Sequence, residues 1–153
     1  MAARKKSRKA SREEVIIAIR GMQFFSGDED GEEIETLNRG FLSREKDKLF
    51  LEFEEVYEDT EETTQTEIRV GDGELLLTRT GFINVEMDFT RGKKSLSLYK
   101  LPFGEILLGI DTEEVRVAEG PDGIDIRADY SMEINYQFLT DSSLKIRVTP
   151  TVI

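Results

Sequence analysis

The run Ile124-Asp125-Ile126-Arg127-Ala128-Asp129-Tyr130-Ser131-Met132-Glu133-Ile134-Asn135 alternates without a break, an apolar residue followed each time by a polar or charged one. A period of two places every apolar side chain on one face of an extended chain and every polar one on the other, so the run reads as a β-strand with one face on a core. Leu144, Ile146 and Val148 alternate with Lys145, Arg147 and Thr149 and read as its hairpin partner, with Thr140 to Ser143 as the turn region.

The same period extends outward from this hairpin. Ile83, Val85, Met87 and Phe89 alternate with Asn84, Glu86, Asp88 and Thr90, and Leu49, Leu51 and Phe53 interleave with Lys48, Phe50, Glu52 and Glu54. Residues 13–25, 32–44, 63–70, 74–80, 93–101, 103–110 and 113–119 also read as strands. Gly71-Asp72-Gly73, Gly81, Arg91-Gly92, Pro102 to Gly104 and Pro121-Asp122-Gly123 separate them with the residues tight turns need. Glu58 to Thr64 is charged and irregular and reads as a loop. No amphipathic helix longer than two turns is evident. About eleven strands at such intervals predict an all-β fold, a closed antiparallel meander barrel, with a sandwich as the other architecture. Closure removes the exposed edges that so many strands would leave. Val15 to Ile19 and Leu75-Leu76-Leu77 are apolar on both faces, which points to an outer surface covered by the tail, a loop or a second subunit, the last being a hint of a homodimer.

Composition excludes more than it assigns. The chain has 153 residues, with no Cys, no His and no Trp. Without Cys there is no disulfide, thiolate nucleophile or cysteine zinc site, and without His there is no Ser-His-Asp triad or histidine general base. The net charge is −11, unevenly spread. Arg4, Lys5, Lys6, Arg8, Lys9 and Arg12 form a basic head without acids, which leaves 15 of the 21 basic residues against all 32 acids, a net of −17, in residues 13–153. Residues 1–12 therefore read as a solvated, flexible tail, or one folded back on the acidic body, ahead of an element that touches RNA, the ribosome or an anionic lipid surface, and 13–153 reads as one domain. An acidic body repels phosphate backbones and argues against nucleic acid as its partner. The apolar run after the basic head is too short for a secretory signal or a membrane span, so the expected location is the cytoplasm, away from membranes.

From residue 32 to 149 the order of motifs resembles the YwiB-like family of small bacterial proteins of unknown function. The resemblance rests on Gly40-Phe41, Leu49 to Glu55, Arg79-Thr80-Gly81, Met87-Asp88-Phe89, Tyr99-Lys100-Leu101-Pro102-Phe103-Gly104, Asp111-Thr112 and the closing strands from Gly123 to Val148. It implies a calycin, or lipocalin-like, barrel. Two stretches depart from the pattern: Leu101 stands where Thr is expected, and Tyr136 to Leu139 are apolar where a shorter polar link is expected. Lacking Trp, the chain has no Gly-x-Trp signature of true lipocalins.

Candidate sites are few. Asp28 to Glu33 resembles part of a calcium loop, but Arg39 stands where the closing Glu would be and the flanks read as strands, so it reads as a solvated turn and no metal is expected. The acidic run Glu52 to Glu62 reads as a solvated surface before a docking face for a basic partner. Spacing selects no catalytic pair among so many carboxylates, and a His-free hydrolase is the remotest reading. Arg79 shares strand parity with Leu75 and Leu77, so it points into an apolar interior, where a guanidinium must be paired or meet a ligand anion. Tyr99 shares parity with Ser95 and Ser97 just before the Pro102-Phe103 turn. Arg79, Ser97, Tyr99 and Phe103 are thus the candidate ligand-binding residues, although a structural Arg79 bonded to loop carbonyls, with Tyr99 capping the core, is the plainer alternative. The leading expectation is a non-enzymatic binder that holds a small, partly apolar ligand inside the barrel without a cofactor. The alternative is a protein-interaction module whose barrel is filled by its own side chains and which uses its acidic surface or basic tail.

Overall fold

The computed structural model describes residues 12–21 and 35–151. The acidic turn at Asp28 to Glu33 and the basic head before Arg12 lie outside the described residues. Ten strands form one antiparallel sheet in the order β6-β5-β4-β3-β2-β1-β10-β9-β8-β7. They are β1 (Glu13–Arg20), β2 (Glu35–Glu45), β3 (Lys48–Val56), β4 (Thr63–Gly71), β5 (Glu74–Gly81), β6 (Val85–Thr90), β7 (Lys93–Leu101), β8 (Gly104–Gly120), β9 (Gly123–Ile134) and β10 (Gln137–Pro150). Strands adjacent in sequence are neighbours in space, and β1 pairs with β10, joining the first strand to the last.

The barrel is nearly closed rather than closed. Its seam lies between β6 and β7, although only a turn separates them in sequence. In that turn the Arg91 amide donates to the Gly73 carbonyl and the Gly92 amide to the Thr112 carbonyl, so the hairpin splays at its start. The strands meet again at one bridge, Asn84 with Lys100. Between these points the Ser95 hydroxyl donates to the Asp88 carbonyl in place of a backbone bond.

Alternation fills the interior as expected. Ile17, Leu51, Ile68, Leu75, Met87, Phe89, Leu108, Ile110, Met132 and Leu144 are all at 0–1% exposure. The edge of Phe89 meets the Tyr130 ring 5.0 Å away. Together with the other buried apolar residues they make one cluster on the inner face of the sheet.

Three boundaries also differ from the sequence reading. Residues 103–110 and 113–119 are one strand, β8, rather than two. Inward residues are even-numbered up to Thr112 and odd-numbered from Val115, and a bulge between Thr112 and Glu114 absorbs the slip. The closing hairpin turns at Asn135-Tyr136 rather than at Thr140 to Ser143, which belong to β10. Both turn residues have positive φ, 50° and 70°, the backbone of a two-residue turn that follows the twist of the strands. A bulge between Phe138 and Thr140 then restores the alternation. The first strand ends at Arg20, because Gly21 follows with φ 93° and its Cα lies so close to β10 that a Cβ there would sit 2.0 Å from the Ser143 carbonyl oxygen.

Candidate functional site

Inward parity on β3, β4, β5 and β7 brings polar groups together at one end of the barrel. Glu55 follows Leu49, Leu51 and Phe53 on the inner face of β3, and Arg79 faces it from β5 across Thr66 of β4. The Arg79 Nη2 donates to Glu55 Oε2 at 2.5 Å and its Nη1 to the Tyr99 hydroxyl at 3.0 Å. The Thr66 hydroxyl donates to Glu55 Oε1 at 3.0 Å. The ring of hydroxyls continues outward: Tyr57 bonds Thr64 at 2.7 Å, Thr64 accepts the Ile83 amide, and Tyr57 stacks obliquely on Phe82.

Arg79 keeps only 12% of its side-chain exposure and Glu55 23%. Burial works to lower the Arg79 pKa, but the Glu55 carboxylate beside it prevails and the net shift is upward. Burial raises the Tyr99 phenol, with the Arg79 charge opposing it. The guanidinium is therefore held charged and neutralised by this chain's own carboxylate, with its Nε buried and unpartnered. The arrangement ties β3 to β5 and β7 at this end of the barrel.

The four residues singled out by sequence do not form one group. Arg79 and Tyr99 are bonded to each other. Ser97 lies one inward position along β7, half-buried beside the seam. Phe103 sits in the β7–β8 turn, 85% exposed and apart from the cluster. Glu55 is the member the sequence reading missed, although its parity with Leu51 and Phe53 carried the signal.

The opposite end carries a surface groove of about 460 Å³. Leu49, Val70, Val115 and Val117 form its floor, and Arg44, Lys46 and Glu119 are on its rim. Arg44 spans the mouth to Glu119 with two hydrogen bonds, of 2.6 and 3.2 Å. Paired to each other, the Arg44 pKa rises and the Glu119 pKa falls. The hydrophobic side chains left exposed are concentrated elsewhere, on the outer face of β7–β10. Leu96, Gly109, Glu133 and Phe138 stand in one cross-strand row, with Leu98, Leu107 and Tyr136 beside it. Leu96, Leu98, Tyr136 and Phe138 are 45–72% exposed. Among the described residues no group of three or more acids suits a metal ion. No helix there is long and apolar enough to cross a membrane.

Comparison with known proteins supplies the wider frame. A family model with the description "Domain of unknown function (DUF1934)" matches residues 17–146. The "Uncharacterized beta-barrel protein YwiB" of Bacillus subtilis (strain 168) is 26% identical over 105 residues, covering 69% of this chain and 72% of that protein. The crystal structure of the ywiB protein from Bacillus subtilis superimposes with a TM-score of 0.70 at 19% identity, covering 92% of this chain and 94% of that one. That likeness establishes a shared barrel fold.

Proposed function

The chain belongs to the family described as Domain of unknown function (DUF1934), and from that premise we propose that it is a non-enzymatic protein-interaction module whose barrel serves as a rigid, self-filled scaffold. The observation that carries this reading is the interior itself, where side chains from Ile17 to Leu144 are out of reach of water. Binding energy then has to come from the outside of the barrel.

The surface that fits is the outer face of β7–β10. Exposed apolar patches that span several strands mark association sites on soluble proteins. The partner we assign to it is a second copy of this chain. A two-fold interface needs a self-complementary patch, and here Leu96 and Phe138 stand at the two ends of a row that also holds the side-chain-free Gly109 and Glu133, which pairs with Lys94. A body of strong negative charge associates with itself most readily through a face that is apolar and internally neutralised. Arg79, Glu55 and Tyr99 are structural in this reading, and Phe103 adds apolar surface at the hairpin tip.

Sedimentation velocity tests it. The intact chain should sediment as a dimer that Leu96→Ser and Phe138→Ser each weaken. A monomer at every accessible concentration would overturn it. The groove at the Arg44 end supports a second reading, a small partly apolar ligand at the barrel mouth, because its volume lies within the usual range for ligand pockets.

A further inference from the structure

A row of cations crosses the outer face of the barrel, against the net charge of the body that carries it. Arg20, Lys145, Arg127 and Arg116 are successive cross-strand partners on β1, β10, β9 and β8. They point outward, since the residues beside them, Ile19, Ile146, Ile126 and Val115, are buried on the inner face. Arg147 follows one outward step along β10. Like charges directly opposite each other cost stability unless negative charge lies over them.

The neighbouring acids leave donors over. Arg127 uses its Nε on Asp129 and its Nη2 on Ser143, so its Nη1 remains. Arg147 uses only its Nη1 on Asp125, so its Nε and Nη2 remain. Both side chains are about half exposed, at 53% and 46%. Arg116 makes no ion pair among the described residues. Between these cations lies a groove of about 320 Å³, at the lower end of the range for ligand sites. Ala18 stands in it directly opposite Arg147, and its methyl leaves a dip that a longer side chain would fill. Ile126 and Ile146 add apolar lining, with Arg127, Lys145 and Arg147 around it. The two acids of the wall, Glu35 and Asp125, each hold an arginine already.

We propose that this groove binds the phosphate monoester of a small apolar group, with the phosphate oxygens on the remaining N–H groups of Arg127 and Arg147 and the apolar part over Ala18. Guanidinium groups match phosphate oxygens in geometry, and a dianion offsets more of the row's charge than a carboxylate does. Size matters as well. Screening limits the reach of a charge to about 8 Å at physiological salt, so a small ligand feels the row, whereas a longer polyanion runs on over the acidic remainder of the body. The groove is open to solvent, so its ligand exchanges freely and purification strips it. The site needs neither the filled interior nor the dimer: along β9, Arg127 lies six residues from Glu133 of the apolar row, about 20 Å away.

Titrating phenyl phosphate into the isotope-labelled intact chain tests the site. In dilute salt the amide signals of Ala18, Arg127 and Arg147 should shift saturably, and those of Leu96 and Arg44 should stay in place. Arg127→Gln/Arg147→Gln should weaken binding roughly tenfold or more. Ala18→Gln fills the dip and keeps the charges, so it should weaken phenyl phosphate and spare inorganic phosphate. Benzoate should bind more weakly than phenyl phosphate. The absence of a saturable shift would overturn the proposal, as would shifts centred on Arg44 and Lys48. So would an unchanged affinity in the double variant, or benzoate binding as tightly as phenyl phosphate. Should the double variant fail to fold, Ala18→Gln decides: an unchanged affinity for phenyl phosphate there overturns the site.

Discussion

Removing Arg79 separates a staple from a ligand anchor. Arg79→Met keeps most of the apolar stem but leaves the Glu55 carboxylate and the Tyr99 hydroxyl without their shared donor. Breaking a fully buried ion pair from one side costs about 3–5 kcal/mol. Arg79 and Glu55 retain 12% and 23% of their side-chain exposure. Solvent therefore screens part of the interaction, and about 2–3 kcal/mol is the expected loss. For a domain of about 150 residues each kcal/mol moves Tm by roughly 2–4 °C, so Tm should fall by about 4–12 °C. Calorimetry on Arg79→Met, Glu55→Gln and the double variant closes the cycle. The double variant should be no worse than the poorer single one, since the second change removes the group the first left stranded. An Arg79→Met protein that melts with the wild type, or a double variant whose losses simply add, would refute the staple.

Four more outcomes follow from the packing and turn geometry. Tyr136→Gly should stabilise the fold by about 1 kcal/mol, because glycine takes the positive φ at no steric cost; chemical denaturation measures it. Gly40→Ala should cost at least about 1–3 kcal/mol, since the new Cβ would lie 2.3 Å from the Glu52 carbonyl oxygen; the same denaturation series reads it. Burial pushes the Tyr130 phenol up to about 12 from an ordinary 10.0, so its contribution is intact below pH 10 and is lost as pH rises through 12. That loss approaches about 2–3 kcal/mol, and an alkaline melting series on Tyr130→Phe should lack it. Glu74 and Glu119 are held below the usual carboxylate range by hydrogen bonds from Lys48 and Arg44. Their contribution is present above the ordinary carboxylate range and disappears as pH falls below it, which acid titration of Tm will register.

Much of the fold is legible in the sequence because a period of two is both necessary and visible wherever a strand has one wet face. Residues 93–101 match β7 at both ends, and β9 starts one residue before the quoted run. The reading fails where one residue shifts the phase. Glu113 is the extra residue of a bulge, and it divides one long strand into two on paper. Asn135-Tyr136 hides as a turn because Tyr rarely takes positive φ, whereas Thr140 to Ser143 look like a turn by composition and are strand by pairing. The site was half legible for a related reason. Inward parity identified Arg79 and Tyr99, and the same parity on β3 pointed to Glu55, which was masked by its membership of a long acidic run. No local signal tells how the inner faces pack, because that depends on how side chains from ten strands meet.

Native mass spectrometry of the freshly purified intact chain, repeated after denaturation, tests the self-filled scaffold most directly. The expected spectrum carries only the protein mass, as monomer and dimer, with nothing released on unfolding. A small-molecule adduct that survives gentle ionisation and is lost on denaturation would contradict it and return the barrel to ligand binding.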